Sequence, residues 1–149
     1  MPVMNVARFE RFFRVAASLD VDKADLKRYG DFLHRKMHDL LLMSQATAKF
    51  NLRDVIEYRD LPLTKGLEQN IHEFERLDEQ LELEPILEGL TQFPPLDMEY
   101  GEEIRSRLPQ VYGGLSVALA KSFKIIDPHL RHPMTSHWET SFKLFDLLL

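Results

Sequence analysis

The feature that most constrains this chain is a long-range echo of itself. Leu19-Asp20-Val21-Asp22 stands 77 residues (96 − 19) before Leu96-Asp97-Met98-Glu99, and Phe9 and Phe13 stand the same distance before Ile86 and Leu90. Farther on, Arg53 and Ile56 precede Arg131 and Met134 by 78 residues (131 − 53). A register kept to within one residue at both ends of a long segment implies a duplicated supersecondary unit. One layer of helices cannot cover its own apolar face, so the two copies must bury theirs against each other. The chain of 149 residues therefore divides into a first unit, 1–77, and a second, divergent unit, 78–149, around one shared core.

Each unit reads as short helix, long helix, short helix. Val6, Phe9, Phe13 and Ala16 recur at helical spacing, with Arg8, Arg11 and Arg14 off the apolar stripe. Asp22 is placed to cap a long helix whose stripe runs through Leu26, Leu33, Met37, Leu40 and Leu41 towards Ala48. That helix is about 27 residues, or roughly 40 Å. The β-branched Val55 and Ile56 then predict a brief extended segment, and Asp60 stands as the N-cap of a third helix carrying Leu67, Ile71, Phe74 and Leu81. Pro62 is tolerated there only in a first turn. In the second unit, residues 84–92 predict a short helix, Asp97 or a neighbour starts a long one reaching Ile126, and Ser136 to Glu139 form a capping box for the last. The adjacent Gly113 and Gly114 inside the long pattern mark close helix packing.

This layout resembles the histone fold. In that family the long helix ends in an alanine-basic run, followed by an arginine, a β-branched pair and, seven residues after the arginine, an aspartate. Here Ala48, Lys49, Arg53, Val55, Ile56 and Asp60 hold those places. The resemblance implies that Arg53 and Asp60 form a structural ion pair tying the loop to the third helix. The whole chain, including "LDVDKADLKRYGDFL" and "RDLPLTKGL", looks like a bacterial family of uncharacterised proteins in which two histone folds are fused into an intramolecular pseudo-dimer. In the second unit Trp138 stands seven residues after Arg131, so the ion pair has no counterpart there. The expected fold is all-α, and fusion makes the pairing intramolecular, at high effective concentration.

Histone folds bind DNA through cations set against phosphates. Up to Lys65 there are 12 Lys/Arg and 9 Asp/Glu, a net of +3, which leaves −8 of the total −5 for the remainder. Arg8, Arg11, Arg14, Lys23, Lys27 and Arg28 are candidates for a basic edge, with Lys49 beyond them. Against this, Asp20 and Asp54 stand where the resemblance places cations in DNA-binding relatives, and Glu99, Glu102 and Glu103 crowd the second unit. The favoured reading is a protein-association module that pairs with an unidentified protein or with itself. The alternative is weak, electrostatic, sequence-non-specific binding of duplex DNA.

Catalysis has less support. There is no cysteine, which excludes disulfides and thiolate chemistry. His34 and His38 have zinc-ligand spacing, but Arg35 follows where a zinc protease needs glutamate. His129, His132 and His137 gather near the last loop, where a metal would have to be built from all three. No cofactor, metal or small-molecule substrate is expected. The longest apolar run, Leu40 to Met43, is far below the roughly 20 residues of a membrane helix, so a cytoplasmic chain, free or associated with the nucleoid, is expected.

Overall fold

The computed structural model describes residues 6–82, 87 and 91–149. The described chain is predominantly helical: α1 (Val6–Ala17), α2 (Lys23–Phe50), α3 (Lys65–Leu81), α4 (Glu102–Ile126) and α5 (Thr135–Leu148), with two short strands, β1 (Val55–Ile56) and β2 (Glu99–Tyr100). The expectation of an all-α chain holds at that level. The short helix expected over 84–92 falls almost wholly outside the described residues, as do Ile86 and Leu90 of the repeat. The division expected after residue 77 falls inside α3, which continues to Leu81.

Helix α2 begins where its sequence says it should. The Asp22 carboxylate accepts the Asp25 N–H at 3.1 Å, and the Asp25 carboxylate accepts the Asp22 N–H at 3.1 Å, a reciprocal cap that satisfies two orphan donors. Three other starts differ from expectation. Asp60 does not cap α3; it sits in a 3₁₀ turn, Tyr58–Asp60, because its carboxylate is already engaged by Arg53 and by the Glu57 N–H. Thr64 caps instead, its hydroxyl accepting the Leu67 N–H at 3.1 Å, so Pro62 lies before the helix. Asp97 does not open α4, because pairing of Glu99 and Tyr100 keeps the chain extended as far as Gly101. Ser136 lies inside α5, whose first turn is closed by the Met134 N–H donating to His137 Nδ1 at 3.0 Å rather than by a Ser136–Glu139 box.

The core is one cluster drawn from both halves. Phe9, Phe12, Phe13, Tyr29 and Phe32 of the first meet Val111, Leu115, Phe123 and Trp138 of the second, all at most 1% exposed. Helix α3 packs most extensively along α4, and the two glycines explain how. A Cβ on Gly113 would land in the Phe74 ring, and one on Gly114 against Ile71, so only hydrogen at these positions lets the helices approach. The two long helices are joined deep inside by Tyr29 Oη and Ser116 Oγ, 2.7 Å apart. Burial pushes the Tyr29 phenol well above its ordinary range, so it stays neutral.

Candidate functional site

The loops between helices bring the two halves of the chain together at two places. At one end of the molecule β1 pairs with β2 in parallel, Val55 opposite Glu99 and Ile56 opposite Tyr100, and the Gly101 N–H donates to Ile56 O at 2.8 Å. The strand before α3 is thus paired with the strand before α4. Elsewhere the loop before α2 meets the loop before α5, where the Asp20 N–H donates to Arg131 O at 2.7 Å. The same kind of crossing, a loop of one half against a loop of the other, therefore occurs twice.

Arg53 and Asp60 form the pair the resemblance implies. The guanidinium donates to both carboxylate oxygens, at 2.8 and 2.5 Å, a bidentate geometry with a nearly inaccessible acid. The Arg53 hydrogen bonds hold the Asp60 carboxyl below its ordinary range, and Asp60 in turn raises the arginine. At the equivalent place in the second half Trp138 is 1% exposed. It packs on Phe123, Phe142 and Phe13, with the Arg28 guanidinium 5.9 Å from its ring. Its indole N–H has no hydrogen bond of good geometry. Burial raises the nearby Asp25 carboxyl above its ordinary range, against the Asp22 N–H, whose hydrogen bond lowers it.

The seven candidate cations do not converge on one patch. Arg8 donates to Glu82 O at 3.3 Å and lines, with Arg11, a small cleft beside the end of α3. Arg14 faces Asp20 at 3.5 Å, Arg28 faces Asp25 at 3.7 Å and donates to Thr135 Oγ1, and Lys49 faces Asp97 at 3.6 Å. Lys23 and Lys27 are exposed near the start of α2, whereas Lys49 lies 26 residues on (49 − 23), about 39 Å along the axis. Asp20 faces His132 at 3.9 Å as well as Arg14, so a carboxylate stands beside both. Asp54 is exposed beside the Arg53–Asp60 pair. Among the described residues no group of three or more His, Asp or Glu side chains is arranged to hold a metal. His137 Nδ1 accepts the Met134 N–H, and the backbone N–H of His129 donates to Asp127 Oδ1.

Two features escaped the sequence reading. Lys36, on α2, is only 2% exposed, with its ammonium 2.9 Å from Asp146 Oδ1 on α5 and 3.5 Å from Asp39. That contact holds the Asp146 carboxyl below its ordinary range. The spacing Leu33, Lys36, Met37, Leu40 puts Lys36 on the buried stripe, which is the signal that could have found it. The second feature is apolar surface around the end of α5: Leu144 is 40% exposed, Leu147 78% and Leu148 74%, beside Leu42, Met43 and Ile125. A groove of about 650 Å³ runs between α5 and α2, and one of about 520 Å³ between α5, α3 and α4. Among the described residues no helix is long and apolar enough to cross a membrane.

Comparison with known proteins agrees with this architecture along the whole chain. Residues 9–146 match the family described as a domain of unknown function, DUF1931. A crystal structure of a protein from Thermus thermophilus is 51% identical, superposes with a TM-score of 0.86, and aligns over 98% of this chain and 99% of that one. A crystal structure of a protein from Aquifex aeolicus, 23% identical, has a TM-score of 0.84 over 100% of this chain and 98% of that one, which establishes likeness of fold. Two relatives from Aquifex aeolicus (strain VF5), both described as uncharacterized proteins, are 26% identical over 117 residues (78% of this chain, 68% of the relative) and 29% identical over 139 residues (83% and 80%).

Proposed function

This chain belongs to the DUF1931 family, and from that premise we propose that it is a fused pair of histone folds working as a non-enzymatic association module. The observation that carries the reading is the reciprocal crossing of loops: β1 on β2 in one place, Asp20 on Arg131 in the other. Two interlocked helix–loop–helix units need such crossings to bury both long helices in one core. The Arg53–Asp60 clasp, at the spacing the histone family uses, supports it further. Because the chain pairs with itself internally, its outer surface is left for another macromolecule. It acts in the cytoplasm, through contact and without a cofactor.

Duplex DNA is the second reading, and Lys23, Lys27 and Arg131, exposed near one loop crossing, favour it. The carboxylates of Asp20, Asp22 and Asp127 lie in the same loops, and Arg14 and Arg28 already face acids, so few cations remain to release counterions. Titration of labelled duplex DNA at several salt concentrations tests this. Weak binding that vanishes towards physiological salt is expected; tight binding that survives it would replace the association reading.

A further inference from the structure

We propose that Gly113, Gly114 and Trp138 decide which partner the first half accepts: they admit the second half of this chain and exclude the first half of another copy. The inference rests on the fused-pair reading and deepens it by naming what pairs with what. The two loop crossings are related by the repeat. Asp20 meets Arg131 in one, and the corresponding residues, Asp97 (20 + 77) and Arg53 (131 − 78), flank the other. Two first halves from separate copies could adopt the same crossings, and the repeat tells which side chains would then face each other. Sterics oppose that pairing first. Helix α3 lies along α4 because Gly113 and Gly114 have no Cβ to strike Phe74 and Ile71. The corresponding stretch of α2 (113 − 78 to 114 − 77) is Arg35, Lys36 and Met37. It contains no glycine, so α3 of another copy would strike long side chains there.

Charge opposes it next. The buried Asp25 side chain lies beside the Trp138 indole, which carries no charge. Between two first halves its neighbour would be Asp60 (138 − 78), a carboxylate that is itself nearly inaccessible. Asp20, now 3.9 Å from His132, would face Asp54 (132 − 78) instead. Two-fold symmetry makes each of these like-charge encounters occur twice. The compensating gains are small. Lys36 would exchange Asp146 for Glu68 (146 − 78), acid for acid, and Arg28 would find Glu57 in place of Thr135 (135 − 78) at an exposed contact.

The test uses the full chain, which has no cysteine. Val55 and Glu99 are Cα partners across β1 and β2, so Val55→Cys with Glu99→Cys forms a disulfide wherever a first half has met a second half. The variant is unfolded in urea under reductant, refolded at low and at high concentration, and then oxidised. The expected result is the same complete cross-link at every concentration. A cross-link that falls as concentration rises would show first halves pairing with each other and overturn the proposal. Its absence at every concentration would overturn the paired architecture as well, so the two readings fail separately. Trp138→Asp then gives the second half the first half's residue, with Arg131 still seven positions before it. It should lower the folded-to-unfolded ratio in a urea titration by about a hundredfold or more, and adding Asp25→Asn should recover about tenfold by removing the facing charge. A loss of the same size with and without Asp25→Asn would overturn the role given to Trp138.

Discussion

At the foot of α3 a guanidinium grips a carboxylate; at the foot of α5, 78 residues later (138 − 60), an indole sits among phenylalanine rings. Arg53 and Asp60 make a directional joint of two short, charge-assisted hydrogen bonds. Trp138 makes a non-directional one, through contact with Phe13, Phe123 and Phe142. The difference shows that the joint must be made but need not be ionic. A buried ion pair sets geometry while its desolvation offsets much of its attraction, whereas an aromatic side chain stabilises mainly by the area it removes from water. The two joints should therefore respond differently to truncation, packing and pH.

The largest expected effect is at the aromatic joint. Trp138→Ala removes a fully buried ring from the shared core and should cost about 3–5 kcal/mol, read as a lower midpoint in urea with unchanged slope. Next comes the contact between the halves. Gly113→Ala drives a methyl into the Phe74 ring and should cost about 1–3 kcal/mol by overpacking. Paired with Phe74→Leu, the loss should shrink if the clash is its cause. Asp60→Asn should cost about 1–3 kcal/mol, since it keeps the shape of the joint and removes the charge that its donors were arranged around. If Asp60→Asn proved as damaging as Trp138→Ala, the contrast between the joints would collapse. The exposed pair of Arg14 and Asp20 is the smallest case: Arg14→Ala should change stability by less than about 1 kcal/mol.

Acid sharpens the same contrast. The carboxyls of Asp60 and Asp146 are held below the ordinary 3.8, so each contributes stability that is present above that value and lost as pH falls through its lowered one. Asp25 runs the other way. Its raised carboxyl favours the folded state below 3.8 and loses that contribution as pH climbs through the raised value. The stability gap between the parent and Asp60→Asn should accordingly be full at neutral pH and close below about pH 4. Melting curves of both proteins across that range check it, and a gap that stayed constant would mean that ionisation of Asp60 is not its source.

Much of this was legible in the sequence because local spacing decides it. Asp22 and Asp25 are three residues apart at the head of an apolar stripe, and the cap forms. Gly113-Gly114 interrupts a helical pattern, and another helix lies against it. What stayed hidden depends on competition between partners. Asp60 and Thr64 are both good caps by type, and only the folded loop shows Arg53 withdrawing Asp60 from that role. Asp97 looks like a helix start until β2 pairs with β1. Lys36 counts as surface by residue type, and its burial follows from an acid 110 residues away (146 − 36). The apolar ridge of α5 carries a periodic signal like any core helix, and which part of it remains uncovered is a property of the assembled halves.

The central claim is that neither half is complete without the other, and severing the chain tests it most directly. Residues 1–82 and 83–149 would be prepared separately and followed by circular dichroism during thermal unfolding, first alone and then mixed. Each half alone should lack a cooperative transition, because much of its apolar surface would face water. The mixture should regain helix and melt as one unit. A cooperative transition from either half alone would contradict the account.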